Sequence, residues 1–428
     1  LDGRVTHALL VFAMLVLAFA ATARSLGRVN VTAPIVFVAV GGLTAAVTGS
    51  VPLPAGPVKA LAELTLALVL FHDAAHVRPR QIRAERGLVV RLLLIGLPLT
   101  IAAGYLTARA LLPGLPVMFA LFVAAALAPT DAGLGAATVL NPVVPVRVRR
   151  LLNVESGLND GLATPVVLFA IAALAGEEGL RAGTSAAEAA LEIVLGTAVG
   201  AAVGAGGGLL LGWSRRRGLS SAHTRAIGVL VLPIIAFTLA EVVGGNTFVS
   251  AFVAGTAMAG AAAWTDEEGS ALELTEMLSE PFGFAVWFVF GFAALPLVWS
   301  AVGWREVVFA VASLTALRMV PVALALLGTG LRAQTVAFVG WFGPRGLASV
   351  VFALIAVETL EADDDLRKVL TAVALTVLLS VVAHGLTADV LAARYGAWVG
   401  REQPTAETVT AAEPRPRGWR LASPPRTG

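Results

Sequence analysis

About thirteen apolar segments follow one another along the chain, near residues 6–23, 29–49, 58–75, 88–111, 116–140, 151–174, 187–211, 224–243, 246–263, 281–299, 304–327, 333–357 and 367–392. At about 1.5 Å per helical residue, each can cross a hydrocarbon core about 30 Å thick. A soluble fold has no place for so many. Of 428 residues 57% are apolar and 14% charged, so most of that surface would have to face water. The expected fold is therefore an all-α polytopic membrane protein. Cysteine is absent, which removes disulfides and thiolate metal sites. The net charge of +2 does not point to nucleic acid, because the arginines gather at the ends of the apolar segments. The first segment, preceded by Arg4 and rich in small residues, has the look of a signal peptide. With a dozen further segments behind it, it reads as a first transmembrane helix.

Arginines set the expected orientation. Arg24 and Arg28, then "RPRQIRAER" (Arg78–Arg86), then Arg147, Arg149 and Arg150, then Arg215–Arg217 fall in every second loop. The intervening loops carry Glu177 and Glu178, or "EADDD" (Glu361–Asp365). This places the protein in the cell membrane with its N-terminus outside and its C-terminus cytoplasmic. The acidic stretch Thr265–Glu280 falls on the arginine side and reads as an amphipathic surface helix. Residues 1–400 read as one transmembrane domain. Residues 401–428, rich in Pro, Arg, Thr and Glu, read as a disordered cytoplasmic tail.

Two segments are broken at matching depth. Segment 116–140 contains "ALAPTDAGLG", with Pro129, Asp131 and Gly133; segment 333–357 contains "WFGPRGLAS", with Gly343, Pro344, Arg345 and Gly346. Proline removes a helix hydrogen bond and the adjacent glycine lets the backbone open. In a bilayer such backbone is tolerated only where it is buried in protein or lines a cavity. With spans 1–6 and 8–13 taken as two inverted six-helix repeats, each break falls in the fifth helix of its repeat. Corresponding broken helices mark the binding site of a secondary transporter.

The charges inside the spans sharpen that reading. In "RLLNVESGLNDGLATP", Arg150 marks the inner interface, which puts Glu155 about 7 Å and Asp160 about 15 Å into the membrane. At 100° per residue Glu155 and Asn159 share a face, while Asp160 points about 140° away from Glu155. One carboxylate is expected to face a partner helix and the other a cavity. Glu155 needs a cation, since an unpaired charge at depth costs at least about 2.5–3.5 kcal/mol, and Arg345 is the expected partner in a structural ion bridge. Arg318, inside another span, needs a partner that spacing does not name. Asp160 is then the carboxylate available to a transported ion, with Asn159, Thr130 and Asp131 as neighbours. Oxygen ligands suit a proton and a small hard cation alike, and competition for one site combined with alternating access gives exchange. Glu63, near the start of the third segment, either joins that site or sits at the outer interface.

"FHDAAH" offers His72, Asp73 and His76, the two histidines spaced as metal ligands on one helix face. An intramembrane metal-dependent hydrolase is the corresponding alternative, and it lacks an evident third ligand. A passive channel is another, disfavoured by charges paired across two breaks.

Taken together, "PTD" at Pro129–Asp131, "ESGLND" at Glu155–Asp160 and "GPRG" at Gly343–Gly346 resemble the sodium/proton exchanger family of monovalent cation:proton antiporters, in particular its bacterial NhaP-like branch. "FVSAFVAG" (Phe248–Gly255) and "LFHDA" (Leu70–Ala74) are weaker matches, and the likeness spans about residues 6–392. The resemblance implies a homodimer that exchanges Na+, with K+ or Li+ as alternatives, for H+. It implies no cofactor and no catalytic residue. It assigns the exchanged ion to Asp160, with Thr130 and Asp131 contributing, and the stabilising bridge to Glu155 and Arg345. Arg318 falls where related electrogenic antiporters carry a lysine, and an Asn-Asp pair implies electroneutral exchange. Two positions depart from the pattern: Ala132 stands where proline is common, and His72 where an acidic or apolar residue is usual.

Overall fold

In a computed structural model, residues 3–27, 30–49, 55–76, 85–131, 133–134, 141–177, 186–261 and 269–408 are described. Ala132, Glu178, the acidic residues before Gly269 and tail residues 409–428 lie outside them. Among the described residues every regular element is helical, and each apolar segment is occupied by helix. In chain order these are α1 (Gly3–Gly27), α2 (Ala33–Thr48), α3 (Ala55–His76), α4 (Arg86–Leu111), α5 (Val117–Ala126), α6 (Val146–Glu177), α7 (Ala186–Arg216), α8 (Ala222–Val242), α9 (Thr247–Ala261), α10 (Gly269–Ala301), α11 (Trp304–Ala325), α12 (Ala333–Trp341), α13 (Leu347–Thr359), α14 (Asp364–Glu402) and α15 (Thr405–Thr408). Eight of them are long and apolar enough to cross a membrane. Their outer faces expose Leu10, Met14, Leu17, Leu191, Val194 and Leu209, among others, which only hydrocarbon can cover without cost.

Small residues bring the helices together. Gly196, Gly200 and Gly204 recur every fourth residue on one face of α7, and a Cβ at any of them would overlap the backbone at Asn246, just before α9, or at Ser250 or Ala254 within it. Apolar helices in lipid gain little from burial against each other, so close backbone approach supplies the dispersion contacts instead. The same device seats Gly41 of α2 on Phe288 of α10, Gly291 of α10 on Val38, and Gly255 of α9 on Phe71 of α3. Three helices are short because their spans are broken: α5 ends at Ala126, and α12 and α13 are separated by the extended residues 342–346. A further break lies within α11 at Thr315 (φ −118°, ψ −96°).

Two expectations are corrected. From Gly269 onward the acidic stretch is the opening of α10, continuous with the span, not a separate surface helix. Residues 401–408 belong to the packed body. Glu407, 1% exposed, accepts hydrogen bonds from the Arg332 amide and the Thr335 hydroxyl, both at 2.8 Å, while Arg147 donates to the Ala406 carbonyl. A helix start has four amides without internal partners, and here a tail carboxylate serves the N-terminus of α12.

Candidate ion-binding site

The two breaks cross, and each supplies what the other lacks. The Asp131 amide donates to the Pro344 carbonyl at 2.8 Å, joining the two unwound segments directly. The Asp131 carboxylate accepts from the Leu347 amide at 2.8 Å, at the exposed-amide start of α13, and from Gly133 and Leu134 at 2.7 and 3.2 Å. In the other direction, Arg345 donates to the carbonyls of Ala128 and Pro129 at 2.7 and 3.1 Å, just past the carbonyl end of α5. An anion thus sits at a helix N-terminus and a cation at a helix C-terminus, each matched to the local dipole. Neutral groups complete the exchange: Ser349 donates to Ala126, Ser380 accepts from the Arg345 amide, and the His384 ring bonds the Trp341 carbonyl at 2.9 Å.

Gly346 is where the segments touch. A Cβ there would overlap the Asp131 carboxyl group. Gly346→Ala is therefore expected to push the two breaks apart and lower the melting temperature in detergent. Conversely, Gly56→Ala, at an open position, should leave it unchanged. Equal melting of both variants would contradict the crossing.

The ion bridge differs from the expected one. Glu155 pairs with Arg318, not Arg345, through two parallel hydrogen bonds of 2.8 Å, both residues being at most 2% exposed. The reason lies in the backbone. Arg345 is engaged by carbonyls that the breaks release, including Ser313 at 3.1 Å beside the interruption of α11. That interruption sets Arg318 opposite Glu155 in the planar two-pronged geometry that a guanidinium and a carboxylate favour.

Around this frame the remaining side chains separate. Thr130 is buried, bonded to Ser156 at 2.8 Å and to the Asn159 amide nitrogen at 2.7 Å. The same nitrogen reaches Glu155 at 3.4 Å, and the Asn159 carbonyl oxygen has no partner among the described residues. Asp160 faces elsewhere. With Asp131 it lines a cleft of about 810 Å³, open mouth included, whose walls also carry His72, Asp73, Glu276, Ser279 and Trp287. The cleft is bounded by the C-terminal end of α3 and the N-terminal half of α10. Two carboxylates at the crossing of two broken helices, lining one open cleft, can receive a small cation or a proton.

Glu63 does not line this cleft. It lies 3.8 Å from Lys59 on its own helix, partly exposed, and about 15 Å of helix separates it from the Asp73 end of α3. Glu63→Gln is expected to leave transport within about twofold of wild type, well under the 1.4 kcal/mol of a tenfold change; a tenfold loss would return Glu63 to the site. The third ligand missing beside His72 and His76 is supplied by Glu276 from α10, while Asp73 instead bonds the His72 ring at 3.2 Å. Ser156, Ser349, Ser380 and His384 were not foreseen, since nothing in a serine's sequence context says which released carbonyl or amide it will meet.

The transmembrane sodium/hydrogen exchanger family model matches residues 12–394. A Na(+)/H(+) antiporter of Schizosaccharomyces pombe is 26% identical over 323 residues, 68% of this chain and 67% of that one. The structure of the sodium proton antiporter MjNhaP1 from Methanocaldococcus jannaschii at pH 8 superposes with a TM-score of 0.70 at 16% identity, covering 92% of this chain and 99% of that chain. An electron-microscopy map of the same antiporter gives 0.70 at 17%, covering 91% and 97%. These structures share the fold, and the family match spans nearly the whole helical body. The chain is a multi-pass membrane protein and belongs to the sodium/hydrogen exchanger family.

Proposed function

We propose that this chain, a cation:proton antiporter by its family, exchanges Na+ for H+ electroneutrally, with both ions competing for Asp160. The observation that carries the reading is the placement of Asp160 in the cleft beside the crossing while Glu155, five residues earlier, is committed to Arg318. A single carboxylate can carry one monovalent cation or one proton, and swapping one for the other moves no net charge. Asp131 contributes field and a remaining lone pair, although its oxygens also hold α13. Thr130 and Asn159 position the helix that bears Asp160. Glu155 and Arg318 hold α6 to α11, and Arg345 holds the two breaks together. The N-terminus lies outside, the C-terminus is cytoplasmic, and the working unit is a homodimer.

The test uses reconstituted vesicles with an acid interior reported by a fluorescent amine. Adding Na+ outside should dissipate the gradient, and clamping the membrane potential at different values should leave the rate unchanged. Dissipation by K+ alone would replace Na+ with K+ as substrate, and Li+ is the third arm. A rate that follows the imposed potential would overturn electroneutrality.

A further inference from the structure

We propose that His72, His76 and Glu276 form a binding site for a divalent transition metal ion of the zinc class at the mouth of the cleft, and that its occupancy blocks exchange. One ring nitrogen of each histidine and a Glu276 oxygen lie within 4.8 Å of one another, contributed by α3 and α10. Ligand atoms around a four-coordinate zinc stand about 3.3 Å apart, given bonds of about 2.0–2.1 Å, so side-chain adjustments of about an ångström close the site.

The hydrogen bonds behind the two rings select the ligating atoms. His76 Nδ1 bonds the His72 carbonyl at 2.9 Å, and a carbonyl only accepts, so this nitrogen carries the proton. His72 Nδ1 bonds the Asp73 carboxylate at 3.2 Å and is protonated for the same reason. A metal ion binds the neutral rings, and in these the lone pair is then on Nε2. A carbonyl or carboxylate behind each ligating imidazole is the arrangement that fixes tautomer and orientation at metal sites. His72 is 4% exposed, and its Nε2 has no hydrogen-bond partner among the described residues. It points toward Glu276, 3.8 Å away and too far for a hydrogen bond. A buried ring nitrogen without a hydrogen-bond partner is costly whether it donates or accepts, and in the neutral ring a metal ion would satisfy it. Two imidazoles and one carboxylate favour zinc, nickel or copper over calcium or magnesium, which prefer all-oxygen sites.

An ion held here would bridge α3 to α10 and place positive charge on the way to Asp160, since His72 and Glu276 both line the cleft. The blocking half of the proposal rests on Asp160 being the exchange site; the binding half does not.

The experiment takes detergent-purified full chain with its affinity tag removed, and titrates it with zinc chloride by calorimetry. One zinc per chain is expected, with affinity reduced at least about tenfold by His76→Ala and by Glu276→Gln, each variant melting like wild type without metal. Equal zinc affinity in wild type and both variants overturns the site. In vesicles, zinc should stop Na+-driven proton flux in wild type, a chelator should restore it, and the His76→Ala protein should stay active in zinc. Binding without inhibition overturns the block while leaving the site. Absent Na+-driven flux in metal-free wild type would instead strike at the assignment of the exchange reaction.

Discussion

Asp160→Asn is expected to fold and melt like wild type and to abolish exchange. The substitution preserves shape, exchanges one acceptor oxygen for an NH2 donor, and removes the group that can alternate between a proton and a cation. Asp160 lines the cleft, and its backbone carbonyl accepts from Thr164, a contact the variant keeps. Flux should fall to the level of protein-free vesicles with Na+, K+ or Li+. Asp131→Asn is the informative contrast. Its carboxylate accepts from three backbone amides across the crossing, and weakening charge-assisted bonds of about 1.5–3 kcal/mol each should lower stability as well as flux. If Asp160→Asn melts far below wild type and Asp131→Asn does not, the two roles are reversed.

The largest stability effect is expected at the Glu155–Arg318 pair. Arg318→Ala or Glu155→Gln leaves one charge buried with its partner gone, a loss of about 3–5 kcal/mol for a buried pair. Removing both charges together, as Glu155→Leu with Arg318→Met, should recover most of it, because no unpaired charge remains. Arg345→Ala differs in kind. It strands carbonyls of Ala128, Pro129 and Ser313, each costing about 1–3 kcal/mol unless another donor or water reaches it. Combining it with Glu155→Gln should add the two losses with no recovery. Denaturant unfolding in detergent micelles measures all of these. Recovery in the Glu155→Leu, Arg345→Met double variant instead would restore the pairing expected from sequence.

The helical body was legible because lipid leaves so few options: apolar length, arginine position and proline-glycine breaks each carry a direct physical meaning. The divergent facing of Glu155 and Asp160 followed from 100° per residue, and in the structure one faces α11 and the other the cleft. The choice between Arg318 and Arg345 was not legible. Searching for opposite charges overlooks backbone carbonyls, which become ligands only once helices break, and the break at Thr315 carries neither proline nor glycine. Glu407 was hidden for a similar reason, since a lone glutamate in a polar tail does not announce that a helix N-terminus waits for it. Glu276 lay in an acidic run that reads as an amphipathic surface helix, and only the continuity of α10 turns it toward His72.

The central claim is that one carboxylate serves both ions, and cation-coupled proton release tests it most directly. Na+ would be titrated into the purified chain by calorimetry at several pH values, in paired buffers of different ionisation heat. Competition at Asp160 predicts release approaching one proton per Na+ bound at the acid end, falling toward zero as pH rises, and no Na+ binding by Asp160→Asn. Na+ binding without proton release across the whole pH range, or binding retained by Asp160→Asn, would contradict it.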